Sequence, residues 1–342
     1  MKKSMLLSAG LLMLVCACSR SGVMEIEDQG SFTIAGTILR DSSGNSFHGD
    51  HAYVFYQKPV DANQYPIVFA HGIGQFSKTW ESTPDGREGF QNIFLRKGYT
   101  TYNVDQPRRG DAGRSTEAAS IAPVFDEEVW FNRFRIGVWP EYFEGVQFSR
   151  DSETYNQFFR QITPNIGTID IDLCGDAYAQ LFDKIGPAIF MTHSQGGSVG
   201  WNTLLKTKNI KGIVTLEPGG EVPFPKGRIP EEGKTLSQSG QHEAIEIDMD
   251  DFMEYTKIPI IIYYGDYMPE TDERPEQYEW TLRLNLMRRW VEEVNKHGGD
   301  ATLIHLPEVG IHGNTHFIMS DLNNVEIADM IAKWLHEKGL DK

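Results

Sequence analysis

Ser194 stands in "FMTHSQGGSVGW" (residues 190–201), between an apolar run and a pair of glycines. A serine so placed can attack a carbonyl carbon if a histidine takes its proton, a carboxylate orients that histidine, and N–H groups hold the oxyanion that forms. The local pattern is small-x-Ser-x-Gly, read here as Thr192, His193, Ser194, Gln195 and Gly196. It suits a serine on a sharp strand-to-helix turn with φ > 0, where residues two positions away must be small so that strand and helix can approach. Thr192 occupies the place where glycine is usual, and Gly196-Gly197 leave room on the other side. The Gln195 N–H would face the developing negative charge from the start of a helix.

"VFAHGIGQFSKTW" (68–80) supplies a second oxyanion donor. His71-Gly72 ends an apolar strand, the Ile73 N–H is the donor, and Gly74 lets that backbone come close to a substrate. His71 itself reads as a structural residue pinning the loop. For the base, "HLPEVGIHGNTHFIM" offers His305, His312 and His316. His305 falls within a strand pattern. His316 is the expected base because "GNTH" returns the loop to the sheet, with His312 as the alternative. The spacing of His312 and His316 would suit a metal only on a helix, and Gly313-Asn314 argues against one. Two carboxylates compete for the third role: Glu217, ending the strand "IKGIVTLEPG", and Asp266, ending "IPIIIYYGD". Position and spacing leave both open.

The elements that must position these residues alternate along the chain. "SFTIAGTILR" (31–40) and "HAYVFYQKP" (51–59) alternate in polarity and predict an antiparallel hairpin. Continuous apolar runs follow at 65–72, 99–107, 187–194, 210–219, 258–266 and 301–310, as strands covered on both faces should read. Helical stripes lie between them, such as Leu284, Met287, Val291 and Val294, then Ile327, Ala328, Ile331, Trp334 and Leu335. The expectation is a mostly parallel, eight-stranded α/β sheet with helices on both faces. Residues 108–169 are too long for an ordinary connection, and between Phe125 and Phe159 they carry eleven aromatic residues. They are expected to form an inserted cap over the carboxyl edge of the sheet, and residues 219–256 an addition to its rim.

The chain has 342 residues and a formal net charge of −16. Clustered basic residues are absent, which argues against a nucleic-acid partner, and the acidity disfavours anionic substrates at long range. "MKKSMLLSAGLLMLVCACSR" reads as a leader whose apolar stretch is too short to span a bilayer. "VCAC" resembles a bacterial lipobox, with Cys18 the residue lipidated. Residues 1–17 would be the signal peptide, 18–30 a tether and 31–342 the catalytic domain. The envelope is the expected location, lipid-anchored in periplasm or at the cell surface, with free secretion as the alternative. Cys174 lies in a helical pattern as a small buried hydrophobe. The "DMDD" run (248–251) lacks the glycine and distal glutamate of a calcium loop, and His48, Asp50 and His51 read as a solvated hairpin loop. No cofactor and no metal is expected.

The order Ser194, Glu217, His316 resembles that of the α/β-hydrolases. More narrowly, "THSQGG", a glutamate ending the next strand, "GNTH", and "TPDGREGFQNIFLRKGYTTYNVDQPRRGDAGRS" (83–115) resemble a family of secreted bacterial and fungal esterases. The likeness runs from about residue 31 to the C-terminus. It implies Glu217, rather than Asp266, as the acid, and an ester-cleaving serine hydrolase as the activity. Some members carry adjacent cysteines in the oxyanion loop; Ile73 and Gly74 stand there in this chain. The aromatic cap adds an expectation of apolar or aromatic small-molecule esters. Two other readings remain: a lactonase, amidase or peptidase on the same three residues, or a hydrolase-like surface protein that binds without catalysis.

Overall fold

The continuous apolar runs lie side by side in one eight-stranded sheet in the computed structural model, which describes residues 22–238 and 244–342. Its strands are β1 (Ile26–Arg40), β2 (Ser46–Pro59), β3 (Ile67–Ala70), β4 (Thr101–Asp105), β5 (Ala188–His193), β6 (Ile210–Leu216), β7 (Pro259–Tyr264) and β8 (Asp300–His305). The spatial order is β1-β2-β4-β3-β5-β6-β7-β8. The first hairpin is antiparallel and β2 joins β4 antiparallel; every other neighbour is parallel. Parallel strands need crossovers, and helices supply them on both faces.

Those helices split the core in two. On one face, α4 (Ile171–Ile185), α5 (Gly196–Lys206) and α6 (Pro275–Lys296) pack Tyr178, Leu181, Trp201, Leu284 and Trp290 against the sheet. On the other, α1 (Phe90–Arg96) and α7 (Asn324–Glu337) bury Phe90, Phe94, Ile327, Ile331 and Leu335. Burial at helical spacing is what holds both layers, since alternate strand residues face opposite sides.

Residues 108–169 carry two short helices, α2 (Glu127–Arg133) and α3 (Ser152–Arg160). Most of their aromatic residues pack on one another and into the second core. Phe131 meets Trp139 and Tyr142, and Phe158 meets Phe148 and Phe317. The segment is stitched to the loop after β8 by backbone hydrogen bonds, His316 N–H to Phe134 O at 2.9 Å and Gln147 N–H to Gly313 O at 2.8 Å.

Two expectations need correction. Residues 26–30, read as tether, belong to β1, because Ile26 pairs with Pro59 and the Tyr56 and Gln57 side chains bond to Asp28 and Gln29. Asp50 is buried rather than solvated: it pairs with Arg108 at 2.9 Å and accepts from the Thr116 N–H at 3.0 Å, tying the hairpin to the start of the long segment. Cys18 and residues 1–17 lie outside the described residues. Among the described residues no helix is long and apolar enough to cross a membrane.

Candidate active site

β3, β5, β6 and β7 are parallel and end at one edge of the sheet. Ser194 follows β5 with φ +53°, and Glu217 follows β6 with φ +49°. Left-handed backbone in a non-glycine residue is costly and persists where surrounding structure enforces it. At Ser194 the constraint is visible: its N–H bonds Leu216 O at 3.1 Å, and its carbonyl accepts from Gly197 at 2.8 Å and Gly219 at 2.9 Å. The turn also requires close approach. A Cβ on Gly72 would stand 2.7 Å from Ser194 Cβ, and one on Gly196 would stand 2.7 Å from Ala70 O. Thr192 fits where glycine is usual because Gly200, one turn into α5, faces it: a Cβ on Gly200 would come within 3.1 Å of Thr192 Cγ2.

His316 and Glu217 meet. The His316 Nδ1–H donates to Glu217 Oε2 at 2.8 Å, with both residues fully buried. Glu217 Oε1 accepts from the Gly265 N–H at 2.6 Å and from Arg135, also fully buried. Burial pushes the Glu217 carboxyl up, but the Arg135 charge and the His316 contact outweigh it and hold its pKa at about 2. For His316 burial dominates and lowers its pKa to about 4, against the opposing pull of Glu217. Its ring is clamped between Trp280, at 4.0 Å between centroids, and Phe134, stacked at 5.4 Å. With Nδ1 committed to Glu217, Nε2 carries the lone pair; it is buried and has no hydrogen-bond partner, the Ser194 hydroxyl included. Catalytic hydrogen bonds are often loose until substrate is bound.

Ser194 and His316 line one cavity of about 270 Å³, together with Ile73 and Gln195. Among the described residues the Ile73 and Gln195 N–H groups make no hydrogen bond to protein. The Gly72 N–H is taken, by Gln75 Oε1 at 3.1 Å. Arg109 fixes this loop from beneath, donating to Gly72 O at 2.6 Å and to Gln195 Oε1 at 3.2 Å. His71 pins it from the side: Nδ1–H donates to Gly72 O at 3.0 Å, and Nε2 accepts from the Gln106 N–H at 3.2 Å. That pattern requires neutral imidazole, in keeping with burial lowering its pKa to about 3.

The alternatives for base and acid find each other instead of Ser194. His312 Nδ1 lies 3.3 Å from Asp266 Oδ2, and the His312 side chain is 68% exposed. Asp266 also accepts from the Gly313 N–H at 2.9 Å, so it shapes the histidine loop. Among the described residues no group of three or more His, Cys, Asp or Glu could hold a metal ion. Sequence reasoning did not find Arg135, Phe134 or Trp280. The signal available was a buried-carboxylate argument: a Glu217 sealed from water needs a cation, and "NRFRIG" in the aromatic segment offers one.

Residues 67–339 match the alpha/beta hydrolase family (Abhydrolase_6). The chain is 29% identical over 325 residues to phiG, a probable secreted lipase of a fungus (Fungal sp., strain ATCC 74256), over 86% of this chain and 88% of that protein. It is 28% identical to a bacterial esterase of known atomic-resolution structure, with a TM-score of 0.74 over 93% of this chain and 98% of that one. By strand order, sheet connectivity and this match across most of its length, the chain belongs to the alpha/beta hydrolase family.

Proposed function

We propose that the protein is a serine hydrolase that cleaves carboxylic esters through an acyl-enzyme. Ser194 Oγ attacks the ester carbonyl carbon while His316 Nε2 takes its proton. The tetrahedral oxyanion accepts from the Ile73 and Gln195 N–H groups. His316 then passes the proton to the departing alcohol, and water, activated by the same nitrogen, releases the acid. Glu217 holds the imidazole in the right tautomer and stabilises its charged form. The observation that supports this most is the His316 Nδ1–Glu217 contact at 2.8 Å, which leaves Nε2 unpartnered at the cavity that Ser194 lines. The esterase and lipase relatives favour esters over amides. Trp130, Phe134, Trp280 and Ile73 give the cavity an apolar wall suited to a small apolar or aromatic group.

A fluorophosphonate probe tests the reading. It should label Ser194, and Ser194→Ala should abolish both labelling and hydrolysis of 4-nitrophenyl butyrate while keeping the circular dichroism of the parent. Turnover that survives in Ser194→Ala would remove the serine mechanism. For location, we propose a lipid on Cys18 and attachment to the cell envelope, with the secreted relative supporting the alternative of free release. Phase partition in a cloud-point detergent separates the two: the parent should enter the detergent phase and Cys18→Ser should not.

A further inference from the structure

Arg133 closes the last turn of α2 and lines the same cavity as Ser194 and His316. Its guanidinium makes no hydrogen bond among the described residues. Its Nε is buried without a partner, and the nearest carboxylate oxygen, Glu279 Oε2, stands 3.5 Å from Nη2. Glu279, which also lines the cavity, bridges two arginines and binds the second more closely, accepting from Arg283 Nη2 at 2.7 Å through its other oxygen. Arg133 is held by that long ion pair and by stacking on Trp130, at 5.2 Å from the ring centroid. The side chain is 29% exposed. A guanidinium carries five N–H donors in a fixed fork and gains most from a carboxylate it can grip with two of them.

We propose that Arg133 is a specificity residue that binds a carboxylate carried by the ester substrate, so that the preferred substrates are monoesters of short dicarboxylic acids. This rests on the ester-hydrolase reading given above. The apolar wall takes the carbon chain, and the fork takes the free acid. The cavity is small, so the two carbonyl carbons of such a substrate are separated by only a few bonds. The overall charge of −16 does not oppose this at contact range, because exposed charges beyond about 8 Å are largely screened at physiological ionic strength. The backbone of Arg133 is anchored to the site as well. Its carbonyl accepts from Trp280 Nε1 at 2.8 Å, and the Trp280 ring lies against His316.

The test compares kcat/KM for mono-4-nitrophenyl glutarate and for neutral 4-nitrophenyl hexanoate, with uncatalysed hydrolysis subtracted. The parent should favour the glutarate, and Arg133→Gln should lower the glutarate-to-hexanoate ratio by about tenfold or more, chiefly through KM. Added salt should lower the ratio for the parent and not for the variant. Glu279→Gln, which removes the competing carboxylate, should raise it. A ratio that stays within about twofold in Arg133→Gln, or that falls in Glu279→Gln, overturns the proposal and leaves the hydrolase reading standing. If the parent cleaves neither ester and the fluorophosphonate leaves Ser194 unlabelled, the hydrolase reading fails. Free glutarate then decides the subsite: it should raise the melting temperature of the Ser194→Ala protein and not that of the Ser194→Ala, Arg133→Gln double variant, and equal shifts would overturn it.

Discussion

Glu217 is a carboxylate with no access to water, and its charge survives because Arg135, the Gly265 N–H and the His316 Nδ1–H all point at it. In the proposed mechanism its role is to fix which imidazole nitrogen carries hydrogen. Glu217→Gln keeps the shape but can present N–H to Nδ1, favouring the wrong tautomer. The expected outcome is a fall in kcat on the order of 10³- to 10⁴-fold with the fold retained, read from steady-state hydrolysis beside circular dichroism. The pH profile belongs to the same pair. In the proposed mechanism His316 can act as a base only when neutral, and burial, opposed by Glu217, lowers its pKa to about 4. The acid limb of kcat/KM should therefore fall below the ordinary histidine value of about 6.5, with activity holding as pH drops through 6. A limb centred at or above that value would mean that the imidazole is hydrated in the free enzyme.

The histidine loop depends on one buried side chain, Asp321. Its carboxyl accepts from Asn314 Nδ2 at 3.0 Å, the Thr315 N–H at 2.8 Å and Thr315 Oγ1 at 2.7 Å. Burial pushes its pKa up to about 7, so near pH 6 it is largely a neutral acid, which an amide can imitate. Asp321→Ala should cost about 3–5 kcal/mol by leaving buried donors unmatched, while Asp321→Asn should cost about 1 kcal/mol, both measured by urea unfolding at pH 6. Nothing in the spacing of "GNTHFIMSDLNN" marks Asp321 for this role, since the contact is made by a loop folding on itself. The strands and helices were legible because burial imposes a period on the sequence, and Ser194 was legible because the turn imposes small neighbours. Gly200 opposite Thr192 was not, since a complementary pair on two elements leaves no local pattern. Nor was Arg135, which reaches Glu217 from a segment 82 positions away and carries its own positive φ of 61°. The aromatic density of residues 125–159 was plain, but its use was not: most of it serves packing behind the histidine loop, and only Trp130 and Phe134 reach the cavity.

At the scale of the molecule, the site concentrates buried histidines: His71, His193 and His316 are each 0% exposed. They interlock: His193 Nε2–H donates to His316 O at 2.9 Å, and Gln75 Oε1, which accepts from the Gly72 N–H, lies 3.2 Å from the His193 Nδ1 that carries no hydrogen in the neutral ring. Burial is the main cause of a lowered pKa in all three, to about 3 for His71, about 4 for His316, and well below the ordinary value for His193. The unfolded chain would take up these protons near pH 6.5, and the folded chain refuses them until far lower. Between those limits the unfolded state binds more protons, so stability falls as pH falls. Three such groups carry a slope of about 4 kcal/mol per pH unit once the unfolded imidazoles are charged. Asp321 has the opposite sign: raised to about 7, it binds its proton in the folded state first and returns about one group's share. The net expectation is a loss of about 3 kcal/mol per pH unit between pH 6 and 5, before the paired carboxylates begin to titrate. For a fold whose total stability is about 5–15 kcal/mol, a loss of that size over one pH unit is a substantial share of the whole. Urea unfolding at pH 7, 6 and 5 measures the slope directly, and a free energy that stays flat across that range would show that water reaches these imidazoles in the folded protein.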